Sequence, residues 1–438
     1  MSDQLETQWL SDLPSGWEQK RADFLCDPYR VTVNPDIFGD DLVAHYSIPQ
    51  VQETGGPLIE PASDIDSLKL LITGPTLLVS KLNPRKKTIC IAEPHPEHPT
   101  LASGEFVAIK SEAIDRRYAY YLWCSEKVTD RLSAIVQSAT RSHQRVNPAD
   151  ISKLPWKWPP LGTQRQIARF LDEKTARIDG LIAKKRTLLE RLAEKRQALI
   201  TRAVTKGLDP AAPMKPSGVD WLGDIPAHWE VRRIKELGRL IGGAGFPHDF
   251  QGEKDLPLVF FKVADLGRVI QSERLSAAEN TINYATAKML GASIIVPGDI
   301  AFAKVGAALL LNRFRRVGVE CCIDNNMMAF RPNKLISTEF ALATLSRINF
   351  ADVVNPGAVP SVNSGQVGRI EIALPGRDEQ DRIVEQLAHR FADIEFAEGR
   401  IRDSIEMLAE YRSALITAAV TGKLRQEDVA DAPELEEA

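Results

Sequence analysis

Across residues 164–208 apolar side chains recur every seventh position, at Leu171, Ile178, Leu192 and Leu199, with Lys185 the one break in the row. A second row, Ile167, Leu181 and Leu188, lies on the neighbouring face. No proline interrupts the stretch, and its only internal glycines are Gly180 and Gly207. Alternating spacings of three and four predict a long amphipathic helix that presents a coiled-coil seam. The pattern returns 216 positions later, where Gln380, Ile383, Leu387, Ala392 and Ile394 match Gln164, Ile167, Leu171, Ala176 and Ile178. Ala198-Leu199-Ile200-Thr201 and Ala203-Val204-Thr205 likewise recur as Ala414-Leu415-Ile416-Thr417 and Ala419-Val420-Thr421. The second seam, Leu387, Ile394, Ile401, Leu408 and Leu415, is apolar at every heptad step. Two matched helices in one chain are expected to be each other's partner. At about 1.5 Å per residue, ~43 residues make a rod roughly 65 Å long, a spacer rather than the core of a domain.

A shorter repeat opens each half. Trp9-Leu10-Ser11-Asp12-Leu13-Pro14-Ser15-Gly16-Trp17-Glu18 recurs as Trp221-Leu222-Gly223-Asp224-Ile225-Pro226-Ala227-His228-Trp229-Glu230, with six of the ten positions identical at an offset of 212. Trp17 and Trp229 are expected to be packed aromatic anchors at the start of a domain. Between the opening motif and the long helix each half alternates short apolar runs with turn signals. Strands are expected at residues 77–82, 88–92 and 104–109, then at 258–263, 293–296 and 300–305, with helices over 116–136 and near 338–350. The two globular segments share little sequence. The echoes are Val79-Ser80-Lys81-Leu82 with Phe302-Ala303-Lys304-Val305, and Val146-Asn147 with Val362-Asn363. One frame is duplicated, and its two surfaces have diverged. The Pro- and Gly-rich stretch 207–218 joins the halves, and the acidic tail 425–438 has no periodicity and is expected to fray.

Length and composition narrow the class only a little. The 438 residues are 44% hydrophobic and 26% charged, ordinary for globular domains. A net charge of −4 means that any nucleic-acid binding must come from local basic patches or from a partner's surface. Five cysteines (Cys26, Cys90, Cys124, Cys321, Cys322) without C-x-x-C spacing read as reduced thiols. No apolar run of 18 residues and no leader-like N-terminus is evident, so a cytoplasmic protein without membrane contact is expected.

No catalytic constellation emerges. Gly242-Gly243-Ala244-Gly245 has His248 where a dinucleotide loop needs its third glycine, and reads as a loop with flexible backbone. Pro96 stands between His95 and His98 and argues against a helical metal pair. Asp324-Asn325-Asn326-Met327-Met328 lacks the Asn-Pro-Pro-aromatic element of adenine methyltransferases, and no G-K-[ST] phosphate loop is present. Basic clusters are the better candidates: Lys81, Arg85, Lys86 and Lys87; Arg141, His143, Gln144 and Arg145; and Lys262, Lys304, Arg313, Arg315 and Arg316, with Asn312, Asn325 and Asn326 as hydrogen-bonding groups. Arginine and lysine at loop tips suit phosphates, and Arg, Asn and Gln can pair with purine edges.

The repeated W-L-x-D-[IL]-P-x-x-W-E motif, the P-x-x-x-x-Q-x-x-I-x-x-x-L helix start and the ALIT-x-AVT helix end resemble the specificity subunit of type I restriction–modification enzymes. So do Ser217-Gly218-Val219-Asp220-Trp221-Leu222-Gly223 and Pro297-Gly298-Asp299-Ile300-Ala301-Phe302-Ala303-Lys304. The likeness runs from about Trp9 to Leu424 and rests on the order and duplication of the motifs. It implies an α+β chain of two α/β target recognition domains, held apart by two long antiparallel helices forming a coiled coil. The expected segments are domain one at 1–158, the first helix at 159–206, a linker at 207–222, domain two at 223–376, the second helix at 377–424 and the tail at 425–438. Each domain would read half of an interrupted, asymmetric site in double-stranded DNA. Two modification (methyltransferase) subunits would bring S-adenosylmethionine, and restriction (translocase and nuclease) subunits would bring ATP and Mg. This chain would hold no cofactor or metal and do no chemistry itself. Lys185, facing the pattern of Ile401, departs from the seam and is expected to touch a partner subunit or to snorkel. The competing readings are a freestanding two-domain sequence-specific DNA-binding protein and an enzyme with unrecognised methyltransferase or nuclease motifs.

Overall fold

The computed structural model describes residues 9–136, 144–268, 274–354 and 359–424. The chain divides into two compact units, residues 1–186 with 402–438, and residues 187–401. Both are α+β. Each contains part of both long helices, Leu161–Lys206 and Arg377–Val420.

In the first unit the strand Thr76–Ser80 is buried at every residue, as suits a central strand. It pairs antiparallel with Phe106–Lys110 on one side and Ile89–Ala92 on the other, and Asp27–Tyr29 flanks Phe106–Lys110. The second unit repeats this sheet with the same connectivity, in the order Gly238–Gly242, Met327–Pro332, Ile300–Ala303, Arg315–Arg316. Glu18–Arg21 pairs with Pro155–Trp158, and Glu230–Arg233 pairs with Glu371–Leu374, so each opening motif is tied to the strand that leads into a long helix. The units differ in what is added. The first carries a five-stranded sheet (Thr32–Val33, Lys69–Ile72, Thr100–Ser103, Leu42–Tyr46, Leu58–Pro61), the second a three-stranded one (Thr281–Ile282, Leu258–Phe261, Cys321–Ile323).

Two expected elements take another form. The helix expected over 116–136 is two helices, Arg116–Cys124 and Glu126–Ala134. Ser125 between them is extended, and its hydroxyl accepts from the Val128 N–H to cap the second. Residues 293–296 form no strand. Ile295 makes a single bridge to Cys321.

The duplicated glutamines explain how the helices start. Gln164 is buried, donates to the Pro159 carbonyl (2.9 Å) and accepts from the Asp115 N–H (3.0 Å). Gln380 donates to the Pro375 (3.0 Å) and Leu335 (2.9 Å) carbonyls and accepts from the Ser337 N–H (2.8 Å). Asp115 and Ser337 cap the domain helices Arg116–Cys124 and Thr338–Leu345, so one amide fixes two helix N-termini in each unit. The helix ends are explained by the tryptophans. Gly207 and Gly422 have left-handed φ of 73° and 68°, where other residues are strained. A Cβ on Gly207 would lie 3.2 Å from the Trp229 ring, and one on Gly422 3.0 Å from Trp17.

Within the first unit Leu171, Ile178 and Ile182 share one core with Leu415, Ile416 and Val420, and Leu408 packs on it. Within the second, Ile200 and Ala203 share a core with Ile383 and Leu387, flanked by Leu199 and Phe391, and Ile394 is buried. The early part of one helix thus meets the late part of the other in each unit, which is antiparallel packing. Leu192 and Ile401 are half-buried along the same row. Each unit carries an equivalent ion pair: Asp179 with Arg412 (2.9 Å), and Glu395 with Arg196 (3.1 Å), the partners related by the repeat of 216. The second seam row differs from the expectation. Leu181 and Leu188 are 42% and 46% exposed, and of the expected row only Ile167 is buried. The positions that turn inward are Thr175, Ile182, Leu189 and Arg196. Lys185 is half-buried on the seam side.

Candidate nucleic-acid interface

The two echoes in the globular segments meet at one corner of each unit. Lys81 follows the strand Thr76–Ser80. Its N–H donates to the Glu105 carbonyl in the turn before Phe106–Lys110 (2.9 Å), and its carbonyl accepts from the Val146 N–H (2.8 Å). Lys304 follows Ile300–Ala303 and is held the same way, by the Asn326 carbonyl (2.9 Å) and the Val362 N–H (3.0 Å). Asn147 and Asn363, next in chain, each cap a short helix. The same backbone clasp therefore presents a lysine at the end of the central strand twice.

What surrounds the two lysines differs. Around Lys81, the side chain of Glu105 accepts two 2.6 Å hydrogen bonds from the Arg145 guanidinium. Gln144 offers its carbonyl to the Asn83 N–H (2.8 Å). Burial holds the Lys81 amine below its ordinary pKa, Glu105 opposes that shift, and Arg145 adds to it. Around Lys304 the tip is Asp324-Asn325-Asn326, with both asparagines exposed and the Asn326 N–H donating to the Asp324 carboxylate (2.8 Å). The Asp324 N–H donates to the Phe261 carbonyl, which brings Lys262 alongside. Lys262 reaches Gln251 (2.6 Å) and lies 5.3 Å from the centre of the Phe246 ring. The glycine run 242–245 belongs here too. The Ala244 N–H donates to Ile323 (3.0 Å), and a Cβ on Gly243 would collide with the backbone of Ile323 and Asp324. That glycine is required by close backbone approach, with no cofactor cradle implied.

The remaining candidates are dispersed. Arg85 forms an exposed ion pair with Asp130 (3.3 Å), and Lys86 lies beside it in the same turn. Lys87 is held by Glu126 (2.7 Å) and Ser413 (3.2 Å). Arg141 and His143 lie outside the described residues. Arg315 and Arg316 form the edge strand opposite Ala301 and Ile300, with Arg313 just before it, and successive residues of that strand point alternately. Arg315 is buried, and Arg316 pairs with Glu339. Arg347, which no sequence pattern marks, joins Arg313 and Arg315 in one cleft. It stands just past the helix Thr338–Leu345, where only the folded chain brings it to the edge strand. His95 and His98 stack at 4.8 Å, and His95 Nδ1 accepts the Glu97 and His98 N–H groups (both 3.2 Å), so that nitrogen is taken. No described helix is long and apolar enough to cross a membrane.

Comparison with known proteins agrees with this architecture. Residues 226–407 match the family described as the Type I restriction modification DNA specificity domain. The chain is 33% identical over 96 residues to the type I restriction enzyme EcoDI specificity subunit of Escherichia coli, covering 21% of each. It is 22% identical to the MjaVIII specificity subunit of Methanocaldococcus jannaschii over 61% of each chain. It is 21% identical to the putative MjaX specificity subunit of the same organism over 95% of each. The chain thus spans less than two thirds of the first two relatives and nearly all of the third. Among solved structures, a chain from work on complex assembly and conformational transition of the type I R-M system superposes with a TM-score of 0.71. It is 18% identical, over 94% of this chain and 99% of that one. The HsdS subunit of Thermoanaerobacter tengcongensis gives 0.51 at 18% identity, over 94% and 98%. At that identity the two structures establish the shared fold. Duplicated helices, the match over residues 226–407 and a relative aligned along nearly the whole chain together make this chain similar to the specificity subunits of type I restriction–modification enzymes.

Proposed function

We propose that this chain supplies DNA sequence specificity to a type I restriction–modification assembly, its two domains reading the two parts of an interrupted, asymmetric target. The observation that carries the reading is the pair of lysine corners: one backbone clasp, built twice, beneath surfaces of different chemistry. A duplicated reader with one frame and two unlike faces recognises two unlike half-sites. Lys81, Lys262 and Lys304 suit phosphates, while Arg145, Gln144, Asn325 and Asn326 have the donor and acceptor geometry for base edges. The chain does no chemistry of its own. Two modification subunits bring S-adenosylmethionine, restriction subunits bring ATP and Mg, and the long helices offer them docking faces.

The test uses the chain co-purified with its modification subunit, bound to duplexes in which one half-site at a time is altered. Replacing Asn325 and Asn326 by alanine is expected to lower discrimination at one half-site by about 1–3 kcal/mol and leave the other intact. Equal relaxation of both half-sites, or of neither, contradicts the reading. Tight sequence-specific binding by the chain without partners would favour a freestanding DNA-binding protein instead.

A further inference from the structure

The repeat makes the first unit a control for the second. Gln164 and Gln380 accept from the Asp115 and Ser337 N–H groups, so the helices Arg116–Cys124 and Thr338–Leu345 match residue for residue from those two caps. On that register buried Tyr118 and Ala119 correspond to buried Phe340 and Ala341. The next two positions diverge: Tyr120 and Tyr121 stand where Leu342 and Ala343 do. In the first unit the Tyr121 side chain is buried, and its hydroxyl lies 2.7 Å from Asp172 and 3.1 Å from Thr175 on the first long helix. The Tyr120 hydroxyl hydrogen-bonds with Arg412 and Cys124.

In the second unit both phenols are missing, and a cleft of about 430 Å³ lies between the helix Thr338–Leu345 and the two long helices. Its walls are mainly apolar, with Ile200, Phe314, Leu342, Ala343, Leu387 and Phe391. Phe391 takes the repeat position of Thr175 and Ala388 that of Asp172, so the groups that meet the Tyr121 hydroxyl are absent as well. Two arginines on the walls are neutralised, Arg316 by Glu339 and Arg196 by Glu395 (3.1 Å), and a third, Arg274, is exposed. Three buried polar atoms remain unmet: the Nε of Arg196, the Nε of Arg316 and the Oδ1 of Asn312 have no hydrogen-bond partner among the described residues. Arg412, the repeat counterpart of Arg196, donates its Nε–H to Asp179 (3.2 Å). Asn312 already donates from Nδ2 to the Ile348 carbonyl (2.9 Å), which leaves Oδ1 as an acceptor. An apolar concavity with a few convergent polar groups is the form of a small-molecule site. Unmet buried donors and acceptors carry a desolvation cost that a ligand would relieve. A hydroxyl can answer both kinds, because it donates and accepts, whereas a carboxylate could only accept and would leave Asn312 unmet.

We propose that this cleft binds a small phenolic compound, whose hydroxyaryl ring takes the place that tyrosine fills in the first unit. The full chain is titrated with p-cresol, the tyrosine side chain as a free molecule, by calorimetry and by thermal melting. Saturable binding at one site is expected, and toluene, which lacks the hydroxyl, is expected to bind about ten-fold more weakly. Ala343→Tyr restores the ring of the first unit and is expected to weaken p-cresol by at least about ten-fold. Should that variant fail to fold, Ala343→Leu, which fills less of the cleft, is expected to act in the same direction. Absence of saturable binding, or undiminished binding in a folded variant with the cleft filled, overturns the proposal. Equal affinity for toluene would make the cleft merely apolar, and the phenolic class falls. The titration is repeated on the complex of the chain with its modification subunit, where p-cresol is expected to bind as before. If that subunit displaces it, the occupant is a side chain of the partner and the small-molecule assignment falls.

Discussion

Lys87 sits in the sequence among four basic side chains of the kind that face a phosphate backbone. In the folded chain its ammonium is 2.7 Å from Glu126, which also accepts from the Ser413 hydroxyl at 2.6 Å. The Glu126 N–H donates to Thr417 (3.0 Å), so this residue fastens a domain helix to the second long helix within the first unit. Hydrogen bonds from Lys87 and then Ser413 hold the Glu126 carboxyl below its ordinary value of 4.5, against the opposing effect of burial. A depressed carboxyl stabilises the fold above its unfolded pKa, and that contribution is lost as pH falls through the folded value. Glu126 is 45% exposed, so the pair contributes about 0–1 kcal/mol. Thermal melts from about pH 6 to pH 3 are expected to fall less steeply for Glu126→Gln than for wild type. Parallel acid limbs for the two proteins would show that the clasp contributes nothing.

The long helices separate what periodicity reveals from what it hides. The row Leu171, Ile178, Leu192, Leu199 was legible because leucine and isoleucine hold it. Its companion row was not, since it runs through Thr175 and Arg196, and the apolar Leu181 and Leu188 nearby imitate a seam while facing outward. An arginine at an inward position makes sense only once Glu395 and the Phe391 ring, 4.4 Å from its guanidinium, are seen beside it. The phase can be measured. Leu171→Ala, at a fully buried position, is expected to cost about 2–5 kcal/mol in denaturant unfolding, and Leu181→Ala less than about 0.5 kcal/mol. Equal losses would mean that the seam lies elsewhere. The central strands were likewise readable as apolar runs, whereas the five-stranded sheet of the first unit was missed. Its edge strands Thr32–Val33 and Leu58–Pro61 are too short and too exposed to show alternation. The break at Ser125 was missed because a serine after nine helical residues looks like any surface position until its hydroxyl is seen capping the next helix.

At the scale of the whole chain, duplication is the organising fact. The glutamine latch, the tryptophan over glycine, the ion pair between helices and the lysine corner each occur once per unit. The two halves differ in the sheets and loops around the corners and agree in the frame beneath them. For the corners the sequence echoes named Lys81 and Lys304, but the neighbours that make them different, Glu105 with Arg145 and Asp324 with Asn326, come together only through strand pairing. A net charge of −4 fits a reader that concentrates its basic side chains in a few places. The central claim is that two unlike domains of one chain dictate one bipartite target. Sequencing the methylated sites in DNA from cells that express this chain with its modification subunit tests it most directly. The account predicts an interrupted, non-palindromic motif, of which only one part changes when residues 223–376 are exchanged for the corresponding domain of a relative. A continuous palindrome, or a motif indifferent to that exchange, would contradict it.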